Sequence, residues 1–97
     1  MTPFLNLLGM AKRAGKLETG ESFVVNAIAK QTAKLVIVAS DTSENTKKKM
    51  TDKSSFYSVP MRIPATSTEL SDAIGTKRSL IAVTDAGFAK AMLKLLT

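Results

Sequence analysis

Two glycines near the start of the chain, together with the polar residues after the second one, form the segment best suited to binding an anion. Gly15 and Gly20 bracket a short Lys-Leu-Glu-Thr link, and Glu21 and Ser22 follow directly. If Gly20 opens a helix, the unpaired N–H groups and the partial positive charge of the first turn can bind phosphate or another acceptor. A glycine there also lets a polyanion approach without a side chain in the way.

Glu21 and Ser22 would lie in that first turn and point toward the same ligand. A glutamate is unsuited to a phosphate, but it accepts hydrogen bonds from the amino and imino groups of a base edge. An ordinary helix start accounts for the same residues, because glycine and glutamate are both acceptable there. Taken alone, the pattern favours the ordinary helix start.

Basic residues gather in two clusters along the chain. The clusters are Lys12, Arg13 and Lys16 around the first glycine, and Lys47, Lys48, Lys49 and Lys53 on a predicted polar helix. The chain has 14 lysine and arginine residues against 8 aspartate and glutamate residues, which gives a net charge of +6. Such an excess favours a polyanionic partner such as nucleic acid, although a solvated surface accounts for any single lysine.

The sequence contains no histidine and no cysteine, which excludes several classes of function. Without them there is no disulfide framework, no imidazole or thiolate metal ligand, and no Ser/His/Asp or Cys/His catalytic set. Neither a third glycine nor Lys-Ser/Thr follows Gly20, so the phosphate-binding loop of nucleotide enzymes is missing. Asp41 and Asp85 follow predicted strands, where active sites often form, but helix capping is their commoner role. We therefore expect no catalytic residue, no cofactor and no metal.

The length of the chain and its hydrophobic runs predict a single soluble domain over residues 1–97. There is no room for a second domain, and the longest apolar run, residues 35–39, is far too short to cross a bilayer. The N-terminus lacks a basic segment followed by an apolar stretch, which a secretion signal requires. We expect a cytoplasmic protein that does not bind membranes.

Helix and strand patterns alternate along the chain. A first amphipathic helix ends at Gly15, a second begins at Gly20, and residues 35–39 and 80–83 are typical of strands buried on both faces. The other predicted elements are an extended link at 17–19, a helix from Ser43 to about Ser55, a short edge strand at 57–61, a capping-box helix from Thr66 to Gly75 and a helix from Asp85. This order predicts the α/β class, as a three-layer α-β-α sandwich on a small sheet of about four strands.

Four segments line up in order with a known family: LNLLGMAKRAGKLETGESFVVNAI, LVIVASDTSENTKKKMTDK, ELSDAIG and IAVTDAGFAK. In these segments the chain resembles the bacterial YlxQ-type proteins of the kink-turn RNA-binding ribosomal protein superfamily, over essentially its whole length. The resemblance implies an α-β-α sandwich around a mixed four-stranded sheet. It also implies an RNA-binding edge.

The resemblance gives two segments a role in that edge. In the superfamily, a glycine and short polar residues at the start of the second helix meet the sheared G·A pairs of a kinked RNA; here these are Gly20, Glu21 and Ser22. A loop leading into the fourth helix closes on an extruded nucleotide. Here that loop is residues 65–71, and its expected contacts are Thr66, Ser67, Leu70 and Ser71.

Three positions differ from the usual pattern of the superfamily. Phe23 and Asn26 stand where an acidic or amide residue and a lysine are usual, and Ser71 stands where many members have glycine. Asn26 can donate and accept hydrogen bonds but brings no charge to a phosphate. Phe23 either stacks on an exposed base or packs against a neighbouring helix.

We therefore expect a non-catalytic, ribosomal-protein-like module that recognises bent or kink-turn-type structured RNA through a helix N-terminus and an adjacent loop. The RNA would be ribosomal or another non-coding RNA, with the ribosome as a candidate partner. The expected RNA-binding residues are Lys12, Arg13, Gly15, Lys16, Gly20, Glu21, Ser22, Phe23, Asn26, Lys47, Lys48, Thr66, Ser67, Leu70 and Ser71. Two alternatives stay open: a ribosome- or translation-associated protein-interaction adaptor, and the detached substrate-recognition domain of an RNA-modifying enzyme.

Overall fold

Five helices and four strands alternate along residues 2–97, the part of the chain that the computed structural model describes. The helices are α1 (Thr2–Arg13), α2 (Glu21–Ala29), α3 (Glu44–Phe56), α4 (Ser67–Ile74) and α5 (Ala86–Leu95). The strands are β1 (Leu17–Thr19), β2 (Leu35–Val38), β3 (Met61–Arg62) and β4 (Leu80–Val83). The predicted α/β class is confirmed.

The four strands form one mixed sheet in the order β1-β4-β2-β3. β4 pairs antiparallel with both β1 and β2, and β3 pairs parallel with β2. Every residue of the two central strands is buried. This burial explains why both strands are continuous aliphatic runs and not alternating patterns, since each of their faces is covered by helices.

Helices cover the two faces of the sheet with separate hydrophobic clusters. On one face, Leu35 and Ile37 of β2 pack with residues of α1, α4 and α5. On the other face, Val36 and Val38 pack with residues of α2 and α3. Successive strand residues point to opposite faces, so one short strand supplies both clusters. Each fully buried aliphatic side chain stabilises the fold by about 1.5–3 kcal/mol. The clusters on the two faces of the sheet confirm the three predicted layers.

The predicted strand at residues 57–61 is shorter and later than expected. Tyr57 caps the end of α3, and Ser58 adopts a positive φ of 58°, so the backbone is not extended there. The Val59 N–H closes the helix end by donating to the Ser54 carbonyl at 2.8 Å. The strand begins only at Met61, and its predicted position at the edge of the sheet is confirmed.

The sheet has two distinct ends, which we call the cleft end and the opposite end. At the cleft end β1 and β2 finish and β4 begins, and the Gly20 N–H donates to the Leu80 carbonyl at 3.0 Å. At the opposite end the Lys16 carbonyl accepts from the Thr84 N–H at 2.9 Å. The start of α2 and the loops before α3, α4 and β4 therefore meet at the cleft end.

Candidate nucleic-acid interface

A cleft of about 600 Å³ lies at this end of the sheet, between the start of α2 and the loops before α3, α4 and β4. Its lining includes Gly20 and Glu21 from the start of α2, Asp41 after β2, Ser67 at the start of α4, and Lys77 and Arg78 before β4. These residues are distant in sequence. They meet because β4 lies between β1 and β2 in the sheet.

Gly20 is required by its own backbone conformation. Its φ of 93° and ψ of 151° fall in a region that only glycine adopts without strain. A Cβ at this position would come no closer than 3.9 Å to a heavy atom, Arg78 Nε, so the site has space for a side chain. The conformation, and not crowding, therefore selects glycine here.

The first turn of α2 has no side-chain cap. In contrast, the side chains of Ser43, Thr66 and Asp85 accept from backbone N–H groups and cap α3, α4 and α5. The first N–H groups of α2 thus keep their hydrogen-bonding capacity, and the partial positive charge of the helix end lies at the cleft. Glu21 and Ser22 occupy this turn, as expected from the sequence, and both are exposed.

Glu21 is held by a lysine of the neighbouring helix. Lys49 Nζ lies 2.7 Å from Glu21 Oε2, and both side chains are about half exposed. The ion pair directs the carboxylate toward α3 and offsets its charge in the cleft. Exposed pairs of this kind contribute about 0–1 kcal/mol to stability, so the contact matters more for the position of Glu21 than for folding.

Lys47 and Lys48, expected to contact phosphate, are both engaged within α3. Lys47 Nζ lies 3.5 Å from Glu44 Oε1, and Lys48 Nζ lies 3.2 Å from Asp52 Oδ2. A phosphate would have to compete with these carboxylates. The cluster on α3 therefore offers less positive charge to the cleft than the sequence indicates.

The cations that line the cleft without an ion pair among residues 2–97 are Lys77 and Arg78, which sequence reasoning missed. Arg78 Nε donates to Thr19 Oγ1 at 3.2 Å, and its Nη1 donates to the Lys77 carbonyl at 2.7 Å. A guanidinium has five N–H donors, so these two contacts fix its position and leave other donors for a ligand. The signal in the sequence was an adjacent basic pair directly before a buried strand.

Asp41 organises the loop at the start of α4. Its Oδ1 accepts from the Ser67 N–H at 2.8 Å, and its Oδ2 accepts from the Ser67 hydroxyl at 2.7 Å. The bond from the Ser67 hydroxyl, followed by the bond from its N–H, lowers the pKa of Asp41 from the ordinary value because both stabilise the charged carboxylate. Asp41 does not cap α3, the helix that follows it, because Ser43 does; it instead binds the first residue of α4 from a distant loop.

Of the residues in 65–71 that were expected to contact RNA, some lie at the surface and one lies in the core. Thr66 forms the predicted capping box with Glu69, so its hydroxyl is engaged in starting α4. Ser71 Oγ donates to the Arg78 carbonyl at 3.0 Å and accepts from the Arg78 N–H at 2.9 Å, which ties α4 to the loop before β4. Leu70 is fully buried in the core. Its side chain therefore cannot make the expected contact with RNA in this conformation, because it packs in the cluster that α4 forms with α1, α5 and the sheet.

Lys12, Arg13 and Lys16 do not lie at the cleft. β1 separates Lys16 from Gly20, and four residues of extended chain span about 13 Å. Gly15, with a φ of 72°, ends α1 by allowing the Lys16 N–H to donate to the Ala11 carbonyl at 2.9 Å. This basic cluster and its glycine therefore belong to the opposite end of the sheet.

Phe23 is 62% exposed on the first turn of α2, so of its two expected roles, packing against a neighbouring helix is excluded. Asn26 follows almost one turn later on the same helix and is also exposed. Both residues lie beside the cleft and not within it, since they line a separate groove on the outer side of α2.

Within residues 2–97, no group of three or more histidine, cysteine, aspartate or glutamate side chains is placed to hold a metal ion. None of the helices in this range is long and apolar enough to cross a membrane.

Known proteins match this chain over nearly its whole length. The model of the ribosomal protein L7Ae/L30e/S12e/Gadd45 family matches residues 4–93. The RNA-binding protein YlxQ of Enterococcus faecium is 49% identical over 86 residues, which cover 89% of this chain and 84% of the relative. The RNA-binding protein YlxQ of Bacillus subtilis (strain 168) is 44% identical over 91 residues, covering 93% and 91%.

Two solved structures share the fold. A protein of unknown function from Bacillus halodurans superposes with a TM-score of 0.94 at 41% identity, covering 96% of this chain and 95% of the other. The Giardia lamblia 15.5kD RNA binding protein superposes with a TM-score of 0.81 at 15% identity, covering 94% and 82%. At that identity the second likeness concerns the fold alone.

Proposed function

The chain belongs to the ribosomal protein L7Ae/L30e/S12e/Gadd45 family, and on that premise we propose that it is a non-catalytic protein whose cleft binds a bent or kink-turn-type segment of structured RNA. One observation carries the proposal. The uncapped start of α2 and two cations without carboxylate partners among residues 2–97, Lys77 and Arg78, line the same cleft. The curated relatives, which are named as RNA-binding proteins, support the choice of polymer.

The cleft suits a backbone that bends sharply. The N–H groups of the first turn of α2 and the free donors of Arg78 converge on one small volume, where they can bind phosphate oxygens that a bend brings together. A straight A-form duplex presents its phosphates along a smooth surface and cannot enter such a cleft. Shape and unstacked bases are also the features by which proteins mainly recognise RNA.

Bases and phosphates would contact different parts of the cleft. Glu21, held by Lys49, accepts hydrogen bonds from the amino or imino groups of a base, and the exposed Ser22 can donate or accept. Arg78, fixed by Thr19, binds the backbone. The net charge of +6 attracts the RNA from a distance, and Lys12, Arg13 and Lys16 contribute to this field from the opposite end of the sheet. The RNA would be ribosomal or another non-coding RNA in the cytoplasm, with the ribosome as a candidate partner.

A binding titration at two salt concentrations tests this function. The parent chain is titrated with a kink-turn RNA and with a straight duplex of equal length and charge. A preference for the kink-turn RNA that persists at the higher salt concentration supports recognition of shape in the cleft. Equal affinities that fall together with salt would mean that only counterion release drives binding. That result would refute the proposal and favour the protein-interaction adaptor.

A further inference from the structure

A second groove, of about 550 Å³, runs along the outer side of α2 beside the edge strand β1. We call it the α2 groove; its lining includes Glu18, Phe23, Asn26, Lys30, Thr32 and Thr84. Nothing in the proposed function uses it. Yet its lining on α2 includes Phe23, only two residues after Glu21, which lines the cleft.

We propose that the α2 groove binds an unpaired RNA strand that leaves the cleft, with a base stacked on Phe23 and the backbone directed toward Lys30. The proposal rests on the proposed function, because it adds a second site to an RNA already held in the cleft. It assigns this chain a preference for bent RNA that carries an unpaired extension.

Three side chains along one helix face have the chemistry that a nucleotide strand requires. Phe23, Asn26 and Lys30 are spaced i, i+3 and i+7, so they share one face of α2, and all three are exposed. An aromatic ring stacks on a base without regard to its identity. The Asn26 amide can donate to and accept from a base edge, and Lys30 can bind a phosphate. Lys30 has no ion pair among residues 2–97.

The other lining residues give the α2 groove a fixed floor and a defined orientation. The Thr32 hydroxyl donates to the Ala27 carbonyl at 3.2 Å, and the Thr84 hydroxyl donates to the Lys16 carbonyl at 3.1 Å. Glu18 is exposed in the groove and repels phosphate, but it accepts from base amino groups. A strand would therefore turn its bases toward Glu18 and its phosphates toward Lys30.

The far end of the α2 groove leads to the basic cluster at the opposite end of the sheet. The bond from Thr84 to Lys16 joins the lining of the groove to that cluster. Lys16, Lys12 and Arg13 are exposed and have no ion pair among residues 2–97. Phosphates of a strand that leaves the groove would meet Lys16 first, whereas Arg13 lies between α1 and α4, beside Glu69 and Asp72. The position of Lys16, which the cleft does not explain, would then serve a longer strand.

The charge along this path favours RNA over a protein partner. Lys30 in the groove and Lys16 beyond it oppose a single carboxylate of the described lining, Glu18, and Phe23 is the one large exposed apolar side chain in that lining. A protein interface is built around a central cluster of apolar anchors, which one ring does not supply. Stacking a base needs only one ring.

The test compares four kinds of RNA: a kink-turn and a straight duplex, each blunt-ended and each with a six-nucleotide unpaired tail. The tail is placed on one end and then, in a separate RNA, on the other. The parent should bind the tailed kink-turn more tightly than the blunt one. Phe23→Leu should bind the tailed kink-turn about fivefold more weakly or worse, because it loses the stacking of a base on the ring. Its affinity for the blunt kink-turn should stay that of the parent. The matched control is Phe56→Leu, an 80% exposed phenylalanine on α3 outside both sites, which should change neither.

A fluorescence measurement gives a second, independent readout. The chain contains no tryptophan, so Phe23→Trp introduces a single reporter that keeps a stacking surface. Its emission should change on adding the tailed kink-turn and not on adding the blunt one. Lys30→Gln should reduce the salt dependence of binding to the tailed RNA by about 0.7 in the slope of log K against log salt.

Two results would overturn the inference. Tails on either end that leave the affinity of the parent unchanged would show that the α2 groove takes no strand. A Phe23→Leu variant that binds blunt and tailed RNA equally weakly would mean that Phe23 serves the cleft instead. The proposed function is judged separately, from the ratio of blunt kink-turn to blunt duplex, so the two failures are distinguishable.

Discussion

Arg78 should supply the strongest single contact that the cleft makes with an RNA backbone. Its guanidinium is positioned in the free protein by bonds to Thr19 Oγ1 at 3.2 Å and to the Lys77 carbonyl at 2.7 Å. Immobilising a mobile side chain on binding costs about 0.5–1.5 kcal/mol. An arginine that is already ordered avoids most of this cost when it binds a phosphate. We therefore expect Arg78→Ala to weaken kink-turn binding strongly.

The size of the effect follows from the type of contact. A hydrogen bond to a charged group contributes about 1.5–3 kcal/mol, which corresponds to a loss of affinity of about 10- to 150-fold. Removing one phosphate contact should also reduce the slope of log K against log salt by about 0.7–0.9. Arg78 is exposed, so the variant should keep the fold and its unfolding midpoint.

Thr19→Val separates the position of the guanidinium from its charge. The valine removes the acceptor for Arg78 Nε but leaves the arginine in place. This variant should weaken binding less than Arg78→Ala, and the salt slope should stay that of the parent. Lys94→Ala, which removes an exposed cation from α5 away from the cleft, is the control for a general loss of charge.

The assay is a titration of labelled kink-turn RNA and straight duplex at several salt concentrations. An Arg78→Ala variant that still binds the kink-turn as the parent does would show that Arg78 makes no contact with the RNA backbone. So would a loss equal to that of Lys94→Ala on both RNAs, because Arg78 would then act only through the overall charge of the protein.

Three further predictions concern residues that shape the cleft. Lys49→Ala leaves the Glu21 carboxylate without its partner at 2.7 Å and should weaken kink-turn binding by up to about fivefold. Adding Glu21→Gln should restore the affinity. If Lys49→Ala alone leaves the same titration unchanged, Lys49 does not offset the charge of Glu21. Gly20→Ala should lower the free energy of unfolding by about 1–3 kcal/mol in urea denaturation, because φ is 93°, and an unchanged midpoint would disprove the strain. Because the pKa of Asp41 is lowered in the folded chain, its carboxylate is protonated at a higher pH in the unfolded chain than in the folded chain. The contribution of this carboxylate to the free energy of unfolding is therefore complete above the ordinary pKa of 3.8 and is lost as the pH falls through the lower folded value. Asp41→Asn should therefore lose less stability than the parent between pH 7 and pH 3, and equal losses in urea midpoints would contradict the link to Ser67.

Local signals in the sequence were enough to predict most of the fold. The capping box of Thr66 and Glu69 and the left-handed Gly75 bound α4 as expected. The two aliphatic runs became the central strands, because only burial on both faces favours such runs. Each of these features depends on residues that are neighbours in the chain. The resemblance to the family, stated from four segments, is confirmed by the match over residues 4–93.

The composition of the cleft depends on contacts that no local pattern reveals. Arg78 meets Thr19 across 59 positions of sequence, and Lys49 meets Glu21 across 28. The order of strands in the sheet brings Arg78 to Thr19 and sends Lys16 to the opposite end from Gly20. The packing of α2 and α3 on one face of the sheet brings Lys49 to Glu21. Leu70 was predicted to contact RNA but is buried, for a related reason. The start of α4 was located correctly, but which side of this helix faces inward depends on its packing against the sheet.

Backbone amide chemical shifts can show whether the start of α2 and the loop before β4 form one RNA site. ¹⁵N-labelled protein is titrated with blunt kink-turn RNA. The largest shifts are expected for the N–H groups of Glu21, Ser22, Lys77 and Arg78, which lie at the cleft. Shifts confined to Lys12, Arg13 and Lys16, with the amides at the cleft unchanged, would mean that the cleft is not the RNA site.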